Sequence, residues 1–265
     1  MHVEINNFSM AYEENGSGLP IVMVHGYPLN RKIWQPQLEG LSDLARLIAP
    51  DLRGHGESQP LPGPYWMDLL AQDIKQFLDA LRVPRPFILC GLSMGGYVAM
   101  AYYRQYSPEL AGLIFAATRA KPDSAAGKKN RDQAAAKAQR EGVSAVVESM
   151  LPKLLSPKTL QHNPELVDRL RDIMKQTSLE AILGDLMGMK ERPDSVPTLE
   201  EILLPTLIVY GEDDQVIGRK EIEDMHEALT HSQLVVIPEA GHLLNMEQPQ
   251  RFNQAVRGYL ESLGE

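Results

Sequence analysis

A serine flanked by glycines is the strongest chemical signal in the sequence. It lies in Gly91-Leu92-Ser93-Met94-Gly95, and a further glycine follows at position 96. The apolar run 87–90 precedes this segment and a helical pattern over 97–106 follows it, so the serine lies at a predicted strand–turn–helix junction. A sharp turn at such a junction needs small flanking residues, because side chains would clash where the chain doubles back. Ser93 is therefore the predicted nucleophile.

A serine hydroxyl needs a base to accept its proton, and a histidine is the usual one. Of seven histidines, His242 alone directly follows a predicted C-terminal strand, at 234–237. His25 and His55 lie in glycine-rich turns, where we expect them to make hydrogen bonds that hold the turns. The remaining four are interpreted as surface residues: His2, His162, His226 and His231.

A carboxylate should orient that histidine from the end of a strand between the two residues in chain order. The apolar run 207–210 is followed by Gly211-Glu212-Asp213-Asp214. The strand predicted at 113–117 is followed by Thr118-Arg119, which offers no carboxylate. The acid is therefore expected within 212–214, and spacing alone leaves its position open.

Short, continuous apolar runs predict the buried strands of a parallel sheet. They lie at 21–24, 47–49, 87–90, 113–117, 207–210 and 234–237. Helical patterns separate most of them, including 69–81 with Asp68 as a candidate cap and 97–106, which should stop near Pro108. This alternation predicts an α/β fold with a doubly wound sheet.

Residues 121–198 break the alternation, because they contain helical patterns and no strand-like run. Apolar residues recur at helical spacing over 143–151, 166–174 and 179–187, and Pro152 should interrupt the first stripe. We therefore predict a core domain of residues 1–120 and 199–265, with a helical insertion at 121–198.

Composition argues against several classes of protein. The formal net charge of −9 does not favour a nucleic-acid partner, and we interpret the short basic cluster 128–131 as a solvated helix face. The single cysteine, Cys90, excludes an internal disulfide, and no histidine–carboxylate spacing suggests a metal, so we expect no metal and no cofactor. Without a signal-peptide pattern or a long apolar segment, we expect a cytoplasmic protein that does not enter membranes.

Further motifs carry a resemblance to a known family. His25-Gly26-Tyr27-Pro28 resembles an HGxP oxyanion loop, and residues 51–58 resemble a D-x-R-G-x-G-x-S turn. Together with the serine turn, the acid turn at 211–214 and the histidine loop at 240–249, they identify the chain as a member of the α/β-hydrolase superfamily over essentially its whole length. The resemblance implies a mostly parallel sheet with the helical insertion as a cap above Ser93.

The resemblance also implies roles for individual residues. The acid maps to Asp214, with Asp213 as the alternative because Gly218 stands where the family often has proline. The oxyanion donors map to the backbone N–H groups of Tyr27 and Met94. Within the superfamily the chain is most similar to small esterases and enol-lactone hydrolases.

These features predict a serine hydrolase that cleaves small, largely uncharged esters or lactones through an acyl-enzyme. The alternatives are hydrolysis of a carbon–carbon bond, cofactor-free perhydrolysis, or a ligand receptor that keeps the fold. Trp34 and Met150 are candidate pocket residues, although Trp34 could equally anchor the loop. Arg119 is the one candidate anchor for a substrate carboxylate, and a structural pair with a cap acid is the simpler interpretation.

Overall fold

A single sheet of eight strands forms the centre of the computed structural model, which describes residues 1–5 and 8–263. The strands are β1 (His2–Ile5), β2 (Phe8–Asn15), β3 (Pro20–Val24), β4 (Arg46–Pro50), β5 (Phe87–Leu92), β6 (Leu110–Ala116), β7 (Thr206–Gly211) and β8 (Ser232–Ile237). Their order across the sheet is β1-β2-β4-β3-β5-β6-β7-β8. β3 to β8 run parallel, and β1 and β2 join one edge in antiparallel pairing.

Helices connect the parallel strands and cover the sheet. In the described residues they are α1 (Gln35–Gly40), α2 (Met67–Ala80), α3 (Met94–Tyr106), α4 (Ala125–Leu154), α5 (Pro157–His162), α6 (Pro164–Lys175), α7 (Leu179–Lys190), α8 (Val196–Glu201), α9 (Arg219–Ala228), α10 (Leu244–Glu247) and α11 (Pro249–Ser262). Two buried apolar clusters fill the space between the helices and the sheet. Over the same residues, no helix combines the length and apolar character needed to cross a membrane.

The sheet register brings the loops that follow several strands to one edge. Val24 at the end of β3 pairs with Gly91 of β5, and Leu92 pairs with Ala116 at the end of β6. Gly211, the last residue of β7, pairs with Ile237 of β8. The loops after β3, β5, β7 and β8 therefore emerge side by side, which is where open α/β sheets place their sites.

The predicted α/β fold is confirmed, and all six predicted strands overlap β3 to β8. β1 and β2 were not predicted, because this edge ribbon contains polar residues and lacks a continuous apolar run. The helix expected at 69–81 begins at Met67 instead. Trp66 holds the capping position, so the assignment of Asp68 as the cap was wrong; Asp68 lies in the first turn.

The segment between β6 and β7 is helical, as the sequence predicts, and contains α4 to α8. Pro152 does not interrupt α4, which continues to Leu154; the non-helical residue inside α4 is Gly142, at φ 78°. The proposed boundary after residue 198 falls within α8. The division into a core domain and a cap insertion stays a prediction.

A buried histidine–carboxylate pair ties this helical segment to the sheet. His55, in the loop after β4, and Asp185, in α7, are both fully buried, and His55 Nε2 lies 2.7 Å from Asp185 Oδ2. His55 Nδ1 lies 2.7 Å from the carbonyl oxygen of Leu29, in the loop after β3. His55 therefore joins three segments: the loop after β3, its own loop and α7.

The two contacts define the protonation state of His55. A carbonyl oxygen only accepts hydrogen bonds, so Nδ1 must carry a proton, and a second proton at Nε2 satisfies the Asp185 carboxylate. Burial alone would lower the pKa of His55, but the charge of Asp185 and its hydrogen bond outweigh burial and raise it. Burial raises the pKa of Asp185 as well, against the charge and the hydrogen bond of His55. We predict an imidazolium–carboxylate pair, and the pH dependence of stability tests it.

The pair predicts a stability that depends on pH. Because the folded pKa of His55 is raised, its stabilisation is complete below the unfolded value of about 6.5 and is lost as pH rises through the folded value. Replacing Asp185 by Asn keeps the shape but removes the charge, and should lower the free energy of unfolding by about 2 kcal/mol at pH 6. Urea unfolding followed by circular dichroism at pH 6 and pH 9 measures both effects.

The matched control is Asp172→Asn, which neutralises an exposed carboxylate of α6. It should change the free energy of unfolding by less than about 0.5 kcal/mol at either pH. An Asp185→Asn effect that stays constant or grows from pH 6 to pH 9 would contradict a charged His55.

Candidate active site

Ser93 lies at the turn from β5 into α3 with an unusual backbone conformation, φ 55° and ψ −113°. Holding a non-glycine residue in this backbone conformation costs about 1–3 kcal/mol of free energy, which surrounding contacts must offset. The Ser93 N–H donates to the carbonyl oxygen of Ala116 at 2.9 Å, and the Thr118 hydroxyl donates to the Ser93 carbonyl oxygen at 2.7 Å. The end of β6 thus holds the serine turn in place and leaves the side chain half-buried.

Two glycines permit the close approach of chain segments around Ser93. A Cβ atom on Gly95 would lie 2.2 Å from the carbonyl oxygen of Val24, at the end of β3. A Cβ atom on Gly26 would lie 3.1 Å from the Cβ of Ser93. The loop after β3 therefore passes directly over the serine turn, and larger residues would push the two apart.

The structure brings His242 and Asp214 together. His242 Nδ1 lies 2.9 Å from Asp214 Oδ2, and both side chains are almost completely buried. The other carboxylate oxygen, Oδ1, accepts hydrogen bonds from the backbone N–H groups of Val216 and Ile217 at 2.7 and 3.1 Å. These contacts orient the Asp214 carboxylate towards Nδ1 and leave Nε2 of His242 for another partner.

Asp213, the alternative acid, points elsewhere. Its backbone N–H donates to the carbonyl oxygen of Ala240 at 2.8 Å, and the residue is exposed. The adjacent acid, Glu212, is also exposed. Of the three acids in this turn, the geometry therefore favours Asp214 as the partner of His242.

Ser93 and His242 line the same small cavity, of about 60 Å³. Both residues belong to the described part of the chain, and no direct hydrogen bond joins their side chains there. Such contacts are often long in structures without substrate and shorten when substrate binds. The two side chains therefore meet at one site with room for a reacting group.

The expected oxyanion donors flank this cavity. Met94 is the first residue of α3, where a backbone N–H has no partner within its helix. Tyr27 lines the cavity, and among the described residues no hydrogen bond from its N–H is found. Met94 is the neighbour of Ser93 in the chain and Tyr27 lines the cavity. Their role as oxyanion donors stays a prediction.

A larger cavity of about 370 Å³ lies outside the small one. The two share six lining residues from the loop after β3, the strand ends and α4: Tyr27, Arg119, Arg131, Met150, Leu154 and Val216. We call the small cavity the inner cavity and the large one the outer cavity. Together they have the size of a small-molecule site.

The two candidate pocket residues, Met150 and Trp34, lie in different places. Met150 lines both cavities. Trp34 does not: it is fully buried in the second core cluster, with its ring centroid 6.1 Å from that of Phe252. Of the two interpretations of Trp34, the structure agrees with the loop anchor and not with the pocket wall, because the side chain packs against α11 in the core.

Arg119 lines the cavities but is also paired with acids. Its guanidinium donates to Asp123 at 2.7 Å and to Glu221 of α9 at 3.0 Å. Burial alone would lower the pKa of Arg119, but Tyr97, Glu221 and Asp123 together raise it. This geometry agrees with the interpretation of Arg119 as a structural partner of nearby acids, and not as an anchor for a substrate carboxylate.

Arg131 and Thr118 are among the residues at the site that sequence reasoning missed. Arg131 lines both cavities, although the basic cluster 128–131 was interpreted as a solvated helix face. Thr118, which holds the Ser93 carbonyl, was noted only because it is not a carboxylate. The one sequence signal for Arg131 was its position relative to the apolar residues of α4. That spacing does not show which face of the helix lies over Ser93.

The chain belongs to the α/β-hydrolase fold family, whose model matches residues 20–249. This confirms the resemblance that the motifs indicated.

Relatives of known activity narrow the class of hydrolase. A 3-oxoadipate enol-lactonase from Acinetobacter baylyi is 32% identical over 88% of this chain and 85% of its own length. The structure of a thermophilic esterase from Thermogutta terrifontis superimposes with a TM-score of 0.96 at 41% identity, covering 99% of both chains. The enol-lactonase from Burkholderia xenovorans LB400 gives 0.91 at 25% identity, covering 98% of this chain and 100% of its own. These relatives support a carboxylic ester hydrolase.

The contacts of Asp214 predict a ranking of two neighbouring variants. Asp214→Asn should lower kcat by roughly 10³–10⁴-fold, because the amide no longer holds the required tautomer of His242. The matched control, Asp213→Asn, removes an exposed charge one residue away and should change kcat less than about threefold. Steady-state hydrolysis of 4-nitrophenyl acetate measures both, and the reverse ranking would assign the acid to Asp213.

Proposed function

We propose that this protein hydrolyses small carboxylic esters or lactones through a covalent acyl-enzyme on Ser93. The observation that carries the proposal is the convergence of three loops on one cavity. Ser93 and His242 line it together, and Asp214 contacts the far nitrogen of His242 at 2.9 Å. A serine, a histidine and a carboxylate in this relation form the machinery of acyl transfer.

In the first half of the proposed reaction, His242 Nε2 accepts the proton of the Ser93 hydroxyl as Oγ attacks the substrate carbonyl. Asp214 stabilises the imidazolium that forms, while its own orientation is held by the N–H groups of Val216 and Ile217. The oxyanion of the tetrahedral intermediate accepts hydrogen bonds from the N–H groups of Tyr27 and Met94. His242 then protonates the departing alkoxide, and the acyl group stays on Ser93.

In the second half, water attacks the acyl-enzyme with His242 as the base. The same N–H groups stabilise the second tetrahedral intermediate, and Ser93 leaves with the proton returned by His242. A lactone follows the same path, but its alkoxide stays attached to the acyl group. Every step uses groups of this chain, the substrate and water.

Three alternatives use the same framework: carbon–carbon bond hydrolysis, cofactor-free perhydrolysis and ligand binding without turnover. The relatives described above are an esterase and two enol-lactonases, and this favours ester or lactone cleavage in this chain. The half-buried Ser93 hydroxyl next to His242 supports turnover over pure binding, because a receptor has no need of an activated nucleophile.

Ser93→Ala should lower kcat by roughly 10³-fold or more, because no nucleophile remains to form the acyl-enzyme. A fluorophosphonate probe should label the wild type on Ser93 and leave this variant unlabelled, as judged by mass spectrometry of peptides. Ser42→Ala, remote from both cavities, is the control and should keep full labelling and turnover. Labelling at another residue, or near-normal turnover by Ser93→Ala, would refute the proposed nucleophile.

The cavity volumes predict short acyl specificity. The inner cavity of about 60 Å³ admits only a few carbon atoms beside Ser93, and the outer cavity adds a limited volume. kcat/KM for 4-nitrophenyl esters from acetate to palmitate should peak at six carbons or fewer and fall by at least about tenfold at palmitate. A maximum at the long end would contradict a site for small substrates.

A further inference from the structure

One peptide group, the one that joins Ser93 to Met94, has two ends at the site. Its N–H belongs to Met94 and is one of the two proposed oxyanion donors, whereas its carbonyl oxygen belongs to Ser93. We call it the oxyanion peptide. A peptide group is planar, and because this one is trans, its N–H and its carbonyl point in opposite directions. A contact that fixes the direction of the Ser93 carbonyl therefore also fixes the direction in which the Met94 N–H donates.

The Ser93 carbonyl oxygen accepts two hydrogen bonds. The N–H of Gly96 donates to it at 2.9 Å within the first turn of α3, and the Thr118 hydroxyl donates to it at 2.7 Å. A carbonyl oxygen away from water needs at least one partner, and Gly96 already supplies it. The bond from Thr118 therefore adds to what the carbonyl requires, and it comes from a separate segment, the end of β6.

The sheet fixes the position of the Thr118 hydroxyl. Thr118 is fully buried, and the preceding residue, Ala117, donates its N–H to the carbonyl oxygen of Val209 in β7 at 3.0 Å. A Cβ atom on Gly96 would lie 2.4 Å from Thr118 Oγ1, so the absence of a side chain at Gly96 makes room for the hydroxyl. The hydroxyl therefore reaches the oxyanion peptide from a rigid support.

This hydrogen bond also affects the strength of the opposite end of the oxyanion peptide. Hydrogen bonds in a chain polarise one another, so a carbonyl that accepts a bond makes the N–H of its peptide group a stronger donor. Met94 begins α3, and its N–H has no partner within the helix. The full negative charge that this N–H would stabilise exists only during the reaction, so the gain falls on the transition state and not on bound substrate.

We propose that Thr118 is a positioning residue for the oxyanion site. Its hydroxyl aligns and polarises the oxyanion peptide through the Ser93 carbonyl, and the Met94 N–H then stabilises the oxyanion. Thr118 is not among the residues that line the inner or the outer cavity, so it acts through the peptide and not on the substrate. This inference rests on the proposed function and deepens it.

The first test removes the hydroxyl and keeps the shape. Thr118→Val leaves the Ser93 carbonyl with its bond from Gly96, so the serine turn keeps one of its supports. With 4-nitrophenyl butyrate, kcat should fall by about tenfold and KM should stay within about twofold, because the lost interaction acts only in the transition state. Thr118→Ser keeps the hydroxyl, and its kcat should stay within about threefold of the wild type.

The matched control is Thr206→Val, at the start of β7. Thr206 is also buried, and its hydroxyl donates to a backbone carbonyl oxygen, that of Leu204, at 3.0 Å. It lines neither cavity, so its kcat should stay within about twofold of the wild type. An equal loss in Thr206→Val and Thr118→Val would show a general effect of replacing a buried threonine and would overturn the inference.

A second pair of variants and a spectrum separate positioning from a purely structural role. Thr118→Ala and Thr118→Ser differ only in the hydroxyl, and they replace the valine variant if that one does not fold. 4-Nitrophenyl trimethylacetate, with an isotope-labelled carbonyl, should accumulate as the acyl-enzyme because its bulky acyl group slows attack by water. Infrared difference spectra then give the carbonyl stretch, whose frequency falls as the oxyanion donors bind the acyl oxygen more strongly.

The carbonyl band should shift to higher wavenumber in Thr118→Val and Thr118→Ala, and should stay in place in Thr118→Ser and Thr206→Val. A purely structural role would lower the amount of acyl-enzyme without moving the band, and that result would overturn the inference. If Thr118→Val matches the wild type in kcat and band position, the inference fails while the proposed function stands. If the wild type hydrolyses no ester and forms no acyl-enzyme, the proposed function fails and this inference fails with it.

Discussion

The backbone conformation of Ser93 is the constraint on which the rest of the site depends. A serine at φ 55° stays there only if neighbouring segments hold it, and here the end of β6 does so through Ala116 and Thr118. The position of β5 between β3 and β6 is what brings those groups within hydrogen-bond reach. The same order lays the loop after β3 over the serine, so that one arrangement of strands positions the proposed nucleophile, its support and the loop of a proposed oxyanion donor.

Buried charges organise the helical segment above this turn. His55 and Asp185 join α7 to the loop after β3, and Asp123 pairs with Arg119, Arg131 and Arg192 beside the cavities. Charges without partners would be costly in such places, so each of these contacts restricts how the segment can sit on the sheet.

The sequence located the chemical groups better than their surroundings. Ser93, His242 and an acid in 212–214 follow from local patterns, because each residue lies at a strand end and strand ends are visible as apolar runs. For Trp34 and Arg131, by contrast, local patterns did not show where the side chain lies. An aromatic residue near the oxyanion loop is compatible with either the core or the pocket, and a basic residue on a helix is compatible with either solvent or substrate, so only packing separates these possibilities.

By itself, the sequence determined the α/β fold and the six parallel strands, and it predicted Ser93 and His242 as the nucleophile and base, because these depend on local hydrophobic patterns and turn chemistry. Tertiary structure decided which of two adjacent aspartates faces His242, since a shift of one residue in a loop changes a side chain's direction without changing the motif. It also decided that Tyr27 of the loop after β3 and Arg131 of α4 line the same two cavities. These residues lie about one hundred positions apart in the chain, and the direction in which each side chain points is a property of packing that no local pattern encodes.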